Sequence, residues 1–129
     1  MAAILIVEDD RNQRLLLQDE LGSQGHSIAT AANGHEALDT VARFMPDLVI
    51  VDIAMPEMDG LELLGKLLAI NNHLPVIIHT AYASYKDNFM SWAADAYVVK
   101  RGDLTELTNT IERVLSQHRA AGRSTAASA

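Results

Sequence analysis

Short apolar runs alternate with longer amphipathic segments along the whole sequence, and this alternation constrains the fold more than any other feature. Runs rich in Val, Ile and Leu, such as LVIV at 48–51, are separated by segments in which apolar residues recur at helical spacing. This order is typical of parallel strands joined by crossover helices, and near-continuous apolar runs indicate strands that are covered on both faces. The strands are predicted at Ala3–Val7, Ser27–Ala31, Leu48–Val51, Val76–Thr80 and Ala96–Val99.

The segments between these strands show helical periodicity of unequal quality. The fourth of them, residues 84–94, has small and polar residues that interrupt its apolar stripe, so we expect it to be the least firmly packed helix. Five such units predict one open, doubly wound α/β sheet, in which ligands lie at the carboxyl ends of the strands. The helices are predicted at residues 11–24, 34–45, about 61–68, 84–94 and 104–117.

Length and composition limit the chain to a single domain. With 129 residues, 49% of them hydrophobic, it can build one closed core. The segment after Gln117 is small and polar without periodicity, so we predict a domain at residues 1–118 and a disordered tail or the start of a linker at 119–129. The sequence shows neither a signal peptide nor an apolar run long enough to span a membrane. We therefore expect a cytoplasmic protein without membrane contact.

Charge and residue types exclude several classes of function. With 10 basic and 17 acidic residues the formal net charge is −7, which disfavours direct contact with nucleic acid. The absence of cysteine excludes disulfides, thiol nucleophiles and Cys-type zinc sites. The five histidines have no metal-binding spacing, so we expect structural or surface roles for them.

Polar residues of complementary chemistry stand at the carboxyl ends of four predicted strands. Carboxylates suit a hard cation such as Mg²⁺, whereas a hydroxyl and an ammonium group suit phosphate oxygens. Taken singly, each of these residues fits an ordinary role as a cap, strand or surface residue. Their convergence on one edge of the sheet favours a shared site, because a divalent cation would relieve the repulsion between the acids. The residues are Glu8, Asp9, Asp52, Thr80 and Lys100.

Four motifs resemble the receiver domain of two-component response regulators, from about Ile4 to about Gln117. They are ILIVEDD at 4–10, VDIAMPEMDG at 51–60, HTA at 79–81 and YVVK at 97–100. The resemblance implies a flavodoxin-like (βα)5 sandwich with a five-stranded parallel sheet in the order 2-1-3-4-5. It also implies a signalling switch rather than an enzyme, phosphorylated by a sensor histidine kinase or a phosphotransfer protein.

The resemblance assigns the phosphoacceptor and the metal ligands. Asp52 is similar to the aspartate that accepts the phosphoryl group. Asp9, Asp52 and the backbone carbonyl of Ala54 are similar to the groups that bind Mg²⁺ directly, and Glu8 to the acid that holds it through water. Asp10 is left as a helix-start residue.

The resemblance also assigns residues that respond to phosphorylation. Thr80 is similar to the hydroxyl residue and Lys100 to the lysine that contact the phosphoryl oxygens, while Tyr97 is similar to the aromatic switch residue. The implied consequence is a changed surface on the fourth helix, last strand and last helix, read by an unknown output partner or a fused output domain. Ala54 and Tyr82 are expected to flank the path by which water reaches the acyl phosphate.

One position departs from the family pattern. Most receivers have proline after the lysine, often through a cis bond, whereas Arg101 follows Lys100 here. A cis bond before a non-proline residue costs about 3–4 kcal/mol. The bond is therefore either trans, with the lysine slightly displaced, or cis and strained.

Three other functions share parts of this pattern. A haloacid-dehalogenase-type phosphotransferase would need a second aspartate at the position of Ala54, and a flavodoxin-like FMN protein would need a phosphate-binding loop where the acids stand. A degenerate receiver that acts as a phosphorylation-independent interaction module would lack part of the acid, hydroxyl and lysine set. None of that set is missing, which favours the phosphorylated switch.

Overall fold

A five-stranded parallel sheet forms the centre of the protein. The structure, a computed structural model, describes residues 1–128, except for the side chains of Phe89 and of residues 120–128. The strand order is β2-β1-β3-β4-β5 with parallel pairing throughout, which confirms the predicted topology. The strands, at the predicted bounds, are β1 Ala3–Val7, β2 Ser27–Ala31, β3 Leu48–Val51, β4 Val76–Thr80 and β5 Ala96–Val99.

Helices cover both faces of this sheet. The four α-helices within the described residues are α1 Arg11–Ser23, α2 Gly34–Arg43, α3 Gly60–Ile70 and α4 Thr105–Ser128. Aspartate and asparagine side chains begin the first three, because each accepts a hydrogen bond from an otherwise unpaired N–H of the first turn. These caps are Asp10, Asn33 and Asp59.

Alternating strand residues divide the core into two layers. Leu5 and Val7 of β1 pack on the side of α2 and α3, while Ile4 and Ile6 pack on the side of α1 and α4. All four are buried. Because successive strand residues face opposite sides, strands that are apolar at every position require cover on both faces, as the sequence predicts.

The fourth crossover is not an α-helix, so the helix predicted at 84–94 is wrong. It consists instead of two 3-10 helices, Ala83–Tyr85 and Phe89–Ala93. Asn88 accepts a hydrogen bond from the N–H of Met90 at 2.9 Å, and Ser91 Oγ donates to the carbonyl of Tyr85 at 2.7 Å. In an α-helix, this backbone N–H and this backbone carbonyl would bond to other backbone groups. Here side chains bond to them instead, which explains the irregular path.

The boundary predicted after residue 118 lies inside α4, which runs from Thr105 to Ser128. The division into a domain at 1–118 and a tail or linker at 119–129 stays a prediction, and Ala129 lies outside the described residues. Among those described, no helix combines the length and apolarity needed to cross a membrane.

A tight loop between β3 and α3 brings the backbone against the end of β3. The N–H of Gly60 donates to the carbonyl of Ile53 at 2.9 Å, and Glu57 adopts a positive φ of 67°. A Cβ at Gly60 would lie 2.3 Å from the carbonyl oxygen of Asp52. Only glycine therefore fits at this position without moving the backbone of Asp52.

Gly60→Ala is expected to destabilise the protein by about 1–3 kcal/mol, because the added methyl group must displace backbone rather than a flexible side chain. Gly65→Ala in the same helix is the matched control. A Cβ there would make ordinary contact with Met90 at 3.7 Å, so stability should hold or rise by up to about 1 kcal/mol. Urea denaturation followed by circular dichroism measures both. Equal stability of Gly60→Ala and the wild type would contradict the packing described.

His79 is a buried titratable residue at the end of β4. It is 5% exposed, and its Nδ1 has no hydrogen-bond partner among the described residues. Burial, reinforced by the positive charge of Lys100, lowers the pKa of His79 to about 4. His79 is therefore neutral at physiological pH, in agreement with a structural role.

The lowered pKa of His79 makes stability depend on pH. The unfolded chain binds a proton at His79 below about pH 6.5, whereas the folded chain does not do so until about pH 4. The free energy of unfolding should therefore fall as the pH decreases across this window, by up to about 3 kcal/mol in total. Urea titrations of wild type and His79→Leu should show that the variant loses this part of the slope. His35→Gln, at an exposed position of α2, should keep it. Parallel curves for wild type and His79→Leu would contradict the assignment.

Candidate functional site

Three carboxylates meet at the carboxyl edge of the sheet. Glu8 and Asp52 are 2% and 7% exposed, and Asp9 is exposed. Ladder hydrogen bonds fix their backbones: the N–H of Glu8 donates to Ala31 at 3.1 Å, and that of Asp52 donates to Val7 at 3.2 Å. One carboxylate oxygen from each of the three acids lies within 4.8 Å of the others. The sequence-predicted acids are thus brought together by β1 and β3.

Lys100, which follows β5, extends its ammonium group into this cluster. Its Nζ donates to Glu8 Oε1 at 2.6 Å and to Asp52 Oδ2 at 2.8 Å. A third hydrogen bond goes to Oε1 of Gln13, in the first turn of α1. All three ammonium hydrogens therefore have acceptors.

The site shifts the pKa values of Glu8 and Lys100. Burial raises the pKa of Glu8, and the hydrogen bond from Lys100 only partly opposes that rise. Burial would lower the pKa of Lys100, but its hydrogen bonds to Asp52 and Glu8 outweigh burial and raise it. The ammonium group is therefore fully charged at neutral pH.

The cluster has the donor set of a Mg²⁺ site. Mg²⁺ prefers oxygen ligands at about 2.0–2.1 Å in an octahedron, so opposite ligands lie about 4.2 Å apart. Neighbouring ligands lie about 3 Å apart, and carboxylate oxygens already within 4.8 Å of one another can approach one ion through side-chain movements. Asp52 Oδ1 also accepts the N–H of Ala54 at 3.2 Å, which orients the Asp52 carboxylate. Whether the Ala54 carbonyl is a ligand stays a prediction.

Asp10 does not belong to this cluster. Its carboxylate accepts the N–H of Gln13 at 3.1 Å and begins α1, as expected for a helix-start residue. Its own N–H donates to Glu8 Oε2 at 3.2 Å. Arg14 donates to the carbonyl of Glu8 at 2.8 Å. The side chain and the backbone of Glu8 are therefore both held by residues at the start of α1.

Thr80 and Tyr97 meet at one peptide segment rather than at the carboxylates. Thr80 is fully buried, and its Oγ1 accepts the N–H of Tyr82 at 3.4 Å. The hydroxyl of Tyr97 donates to the carbonyl of Tyr82. The carbonyl of Thr80 in turn accepts the N–H of Lys100 at 2.7 Å. The backbone of Tyr82 thus joins the two residues for which a switch role is predicted.

The bond between Lys100 and Arg101 is trans, since no cis peptide bond occurs in the described part of the chain. Arg101 is exposed, and its Nε lies 3.3 Å from Glu106 Oε1. The replacement of the family's proline therefore leaves Lys100 in contact with both Glu8 and Asp52.

Sequence reasoning missed two residues of α1. Gln13 contacts Lys100, and Arg14 contacts the carbonyl of Glu8. A signal was available for Gln13. Asp10 followed three residues later by glutamine is the pattern of a capping box, in which the glutamine reaches back to the N–H of the cap. Here Glu8 accepts that N–H, which leaves Gln13 available to Lys100.

Curated relatives share this sequence at moderate identity. The transcriptional regulatory protein ZraR of Salmonella typhimurium is 36% identical over 121 residues, covering 92% of this chain but 27% of ZraR. Sporulation initiation phosphotransferase F of Bacillus subtilis is 35% identical over 114 residues, covering 87% of this chain and 92% of that protein. The chain thus spans about a quarter of one relative and nearly all of the other.

Solved structures of the response regulator TrrA from Thermotoga maritima share the fold. The complex of TrrA with Mg²⁺-BeF has a TM-score of 0.86 at 42% identity, covering 88% of this chain and 99% of TrrA. TrrA bound to the histidine kinase ThkA has a TM-score of 0.84 at 43% identity, covering 89% and 99%.

A family model described as the response regulator receiver domain matches residues 4–112. That match includes the three acids, the lysine and both residues that contact the Tyr82 backbone. The chain belongs to the receiver domains of two-component response regulators.

Proposed function

We propose that this protein is a phosphorylation-dependent signalling switch that accepts a phosphoryl group from a phosphohistidine onto Asp52. The observation that carries the proposal is the position of Lys100 Nζ, 2.8 Å from a buried Asp52 carboxylate that also lies beside two other acids. A structural ion pair alone would not require a third acid, Asp9, beside the two that Lys100 contacts.

The transfer exchanges one phosphorus bond for another. A carboxylate oxygen of Asp52 attacks the phosphorus in line and forms the P–O bond of an acyl phosphate. The P–N bond to the donor histidine breaks, and its electron pair stays on the imidazole nitrogen, which then binds a proton. Lys100 supplies positive charge where the phosphoryl oxygens would lie. The chain therefore assists its own phosphorylation while acting as a regulator.

Bound Mg²⁺ would neutralise charge on the phosphoryl oxygens in the same way. Asp9 and Asp52 would hold it directly with the carbonyl of Ala54, and Glu8 through water. Support comes from the spacing of the carboxylate oxygens in this chain and from the Mg²⁺-BeF complex of TrrA.

A histidine kinase or a phosphotransfer protein is the proposed phosphoryl donor. TrrA, at 43% identity, forms a complex with the histidine kinase ThkA. On this chain, Leu15 and Leu16 of α1 are 48% and 59% exposed, and Leu16 lines the same cavity as Gln13 and Lys100. Exposed apolar side chains beside a charged site support contact with another protein there.

Thr80, Tyr82 and Tyr97 would transmit the phosphorylated state. An acyl phosphate at Asp52 would compete for the Thr80 hydroxyl, which accepts the N–H of Tyr82 at the long distance of 3.4 Å. Loss of that bond would free the N–H of Tyr82, while the carbonyl of the same residue stays bonded to Tyr97. The affected surface would be the fourth crossover (residues 81–95), β5 and α4, whose partners would change with the population of the two states.

Water attack on the acyl phosphate would reset the switch and release inorganic phosphate. Ala54 and Tyr82, both exposed, would flank the path of the attacking water. The output is a partner protein or a fused domain, for which residues 119–129 would provide the start of a linker.

Replacement of Asp52 by asparagine should abolish labelling by acetyl phosphate, because an amide cannot form the acyl phosphate. Radioactive acetyl phosphate with Mg²⁺ provides the measurement, and sensitivity of the label to hydroxylamine identifies an acyl phosphate. Asp39→Asn, at an exposed acid of α2, should be labelled like the wild type. Undiminished labelling of Asp52→Asn would refute the proposal.

Mg²⁺ should raise the melting temperature of the wild type, since a ligand that binds only the folded state stabilises it by about 2.7 kcal/mol at 100 times its Kd. Asp9→Ala should show a smaller shift. Asp10→Asn provides the control one residue away, because asparagine keeps the helix cap but lies outside the acid cluster, so its shift should equal that of the wild type. Equal shifts in wild type and Asp9→Ala would count against a metal site at this edge.

A further inference from the structure

Gln13 contacts Lys100, the lysine that the proposed phosphoryl transfer uses, although Gln13 lies on α1 and not at a strand end. Its side-chain oxygen accepts a hydrogen bond from Lys100 Nζ, across 87 positions of sequence. The remaining two ammonium hydrogens go to Glu8 and Asp52. We propose that Gln13 is a positioning residue that fixes the Lys100 ammonium group for phosphoryl transfer, an inference that rests on the function proposed above.

The first argument is the chemistry of the three acceptors. Glu8 and Asp52 are carboxylates, and both attract the ammonium group strongly. Gln13 is neutral, so it orients the third hydrogen without competing electrostatically with Asp52 for the charge. When a phosphoryl group arrives at Asp52, Lys100 must exchange one acceptor for a phosphoryl oxygen. The bond to the Gln13 amide, which is not exchanged, would keep Nζ in place meanwhile.

The second argument is the space around the lysine. A cavity of about 300 Å³ lies between α1 and the start of α4, and its lining includes Gln13, Lys100, Leu16 and Leu104. Packing therefore does not confine Lys100 on this side. The hydrogen bond to Gln13 limits the directions in which the side chain can turn.

The third argument is how Gln13 itself is held. It occupies the third position of α1, and its backbone N–H donates to Asp10 at 3.1 Å. Its side chain would ordinarily return to the N–H of the cap residue, but Glu8 accepts that N–H. The helix start thus directs the amide group toward Lys100, and α1 fixes it there.

The test compares labelling rates with acetyl phosphate for wild type, Gln13→Met and Asn12→Met at saturating Mg²⁺. Methionine keeps the length of glutamine but accepts hydrogen bonds poorly. Labelling of Gln13→Met should slow by about five-fold, the effect of one hydrogen bond of ordinary strength. Asn12→Met, on the same turn and exposed, should match the wild type. Equal rates for Gln13→Met and wild type would overturn the inference while leaving the labelled wild type as evidence for the function.

A double-mutant cycle separates positioning from a purely structural effect. If Gln13 acts through Lys100, Gln13→Met should cause no further slowing in a Lys100→Met background. Slowing by the same factor in both backgrounds would overturn the inference. A direct readout is the Lys100 side-chain ammonium signal in nitrogen NMR, whose hydrogens should exchange faster with water in Gln13→Met. Unchanged exchange would equally contradict the proposal, and it can be measured without phosphorylation.

Discussion

One ammonium group bridges the two buried carboxylates at the carboxyl edge of the sheet, and the arrangement of the site depends on that bridge. Glu8 and Asp52 are both buried, where water screens their repulsion poorly. Lys100 Nζ lies within 2.8 Å of an oxygen of each. Without it, one of the two acids would have to bind a proton or recruit another cation. Lys100, which follows β5, thus offsets the repulsion between the acids that follow β1 and β3. The proposed phosphoryl transfer requires the same lysine.

The strand order explains why this residue is a lysine. Neighbouring strands lie about 4.8 Å apart, so β5 is about 10 Å from β3 and farther still from β1. A long, flexible side chain with three donors at its tip can cross that distance and satisfy acceptors from three different elements. The ladder bonds of Glu8 and Asp52, and the close approach of Gly60 to the backbone of Asp52, hold those acceptors in place. The sheet therefore holds the acids rigidly, and the long side chain of Lys100 reaches across it to them.

Most of the fold could be predicted from the sequence because burial on two faces leaves a strong pattern. Three of the five strands are near-continuous runs of Val, Ile and Leu, and the predicted bounds of all five match the structure. The fourth crossover could not be predicted as well, since side-chain bonds such as that from Ser91 to the Tyr85 carbonyl decide its path, and these depend on geometry rather than periodicity. The strand-end acids and Lys100 were predictable because parallel strands align their carboxyl ends. The contact of Gln13 with Lys100 was not, because the capping-box pattern at 10–13 predicts a bond from Gln13 to the N–H of Asp10, which Glu8 accepts instead.

The hydrogen bonds of Thr80 differ in length, and this difference bears on how far phosphorylation could change the conformation of the protein. The carbonyl of Thr80 accepts the N–H of Lys100 at 2.7 Å, within the sheet, whereas its hydroxyl accepts the N–H of Tyr82 at 3.4 Å. A competitor for the hydroxyl would therefore disturb the crossover and leave the sheet intact. A hydrogen bond of about 1 kcal/mol changes a two-state population about five-fold, so loss of this contact alone would bias the crossover without fixing it in a new position. The Tyr97 hydroxyl bonds the Tyr82 carbonyl, which belongs to the next peptide group, so the two bonds hold the backbone on either side of the Tyr82 Cα. Under the proposed function, Tyr82 would couple the chemistry at the sheet edge to the conformation of the crossover.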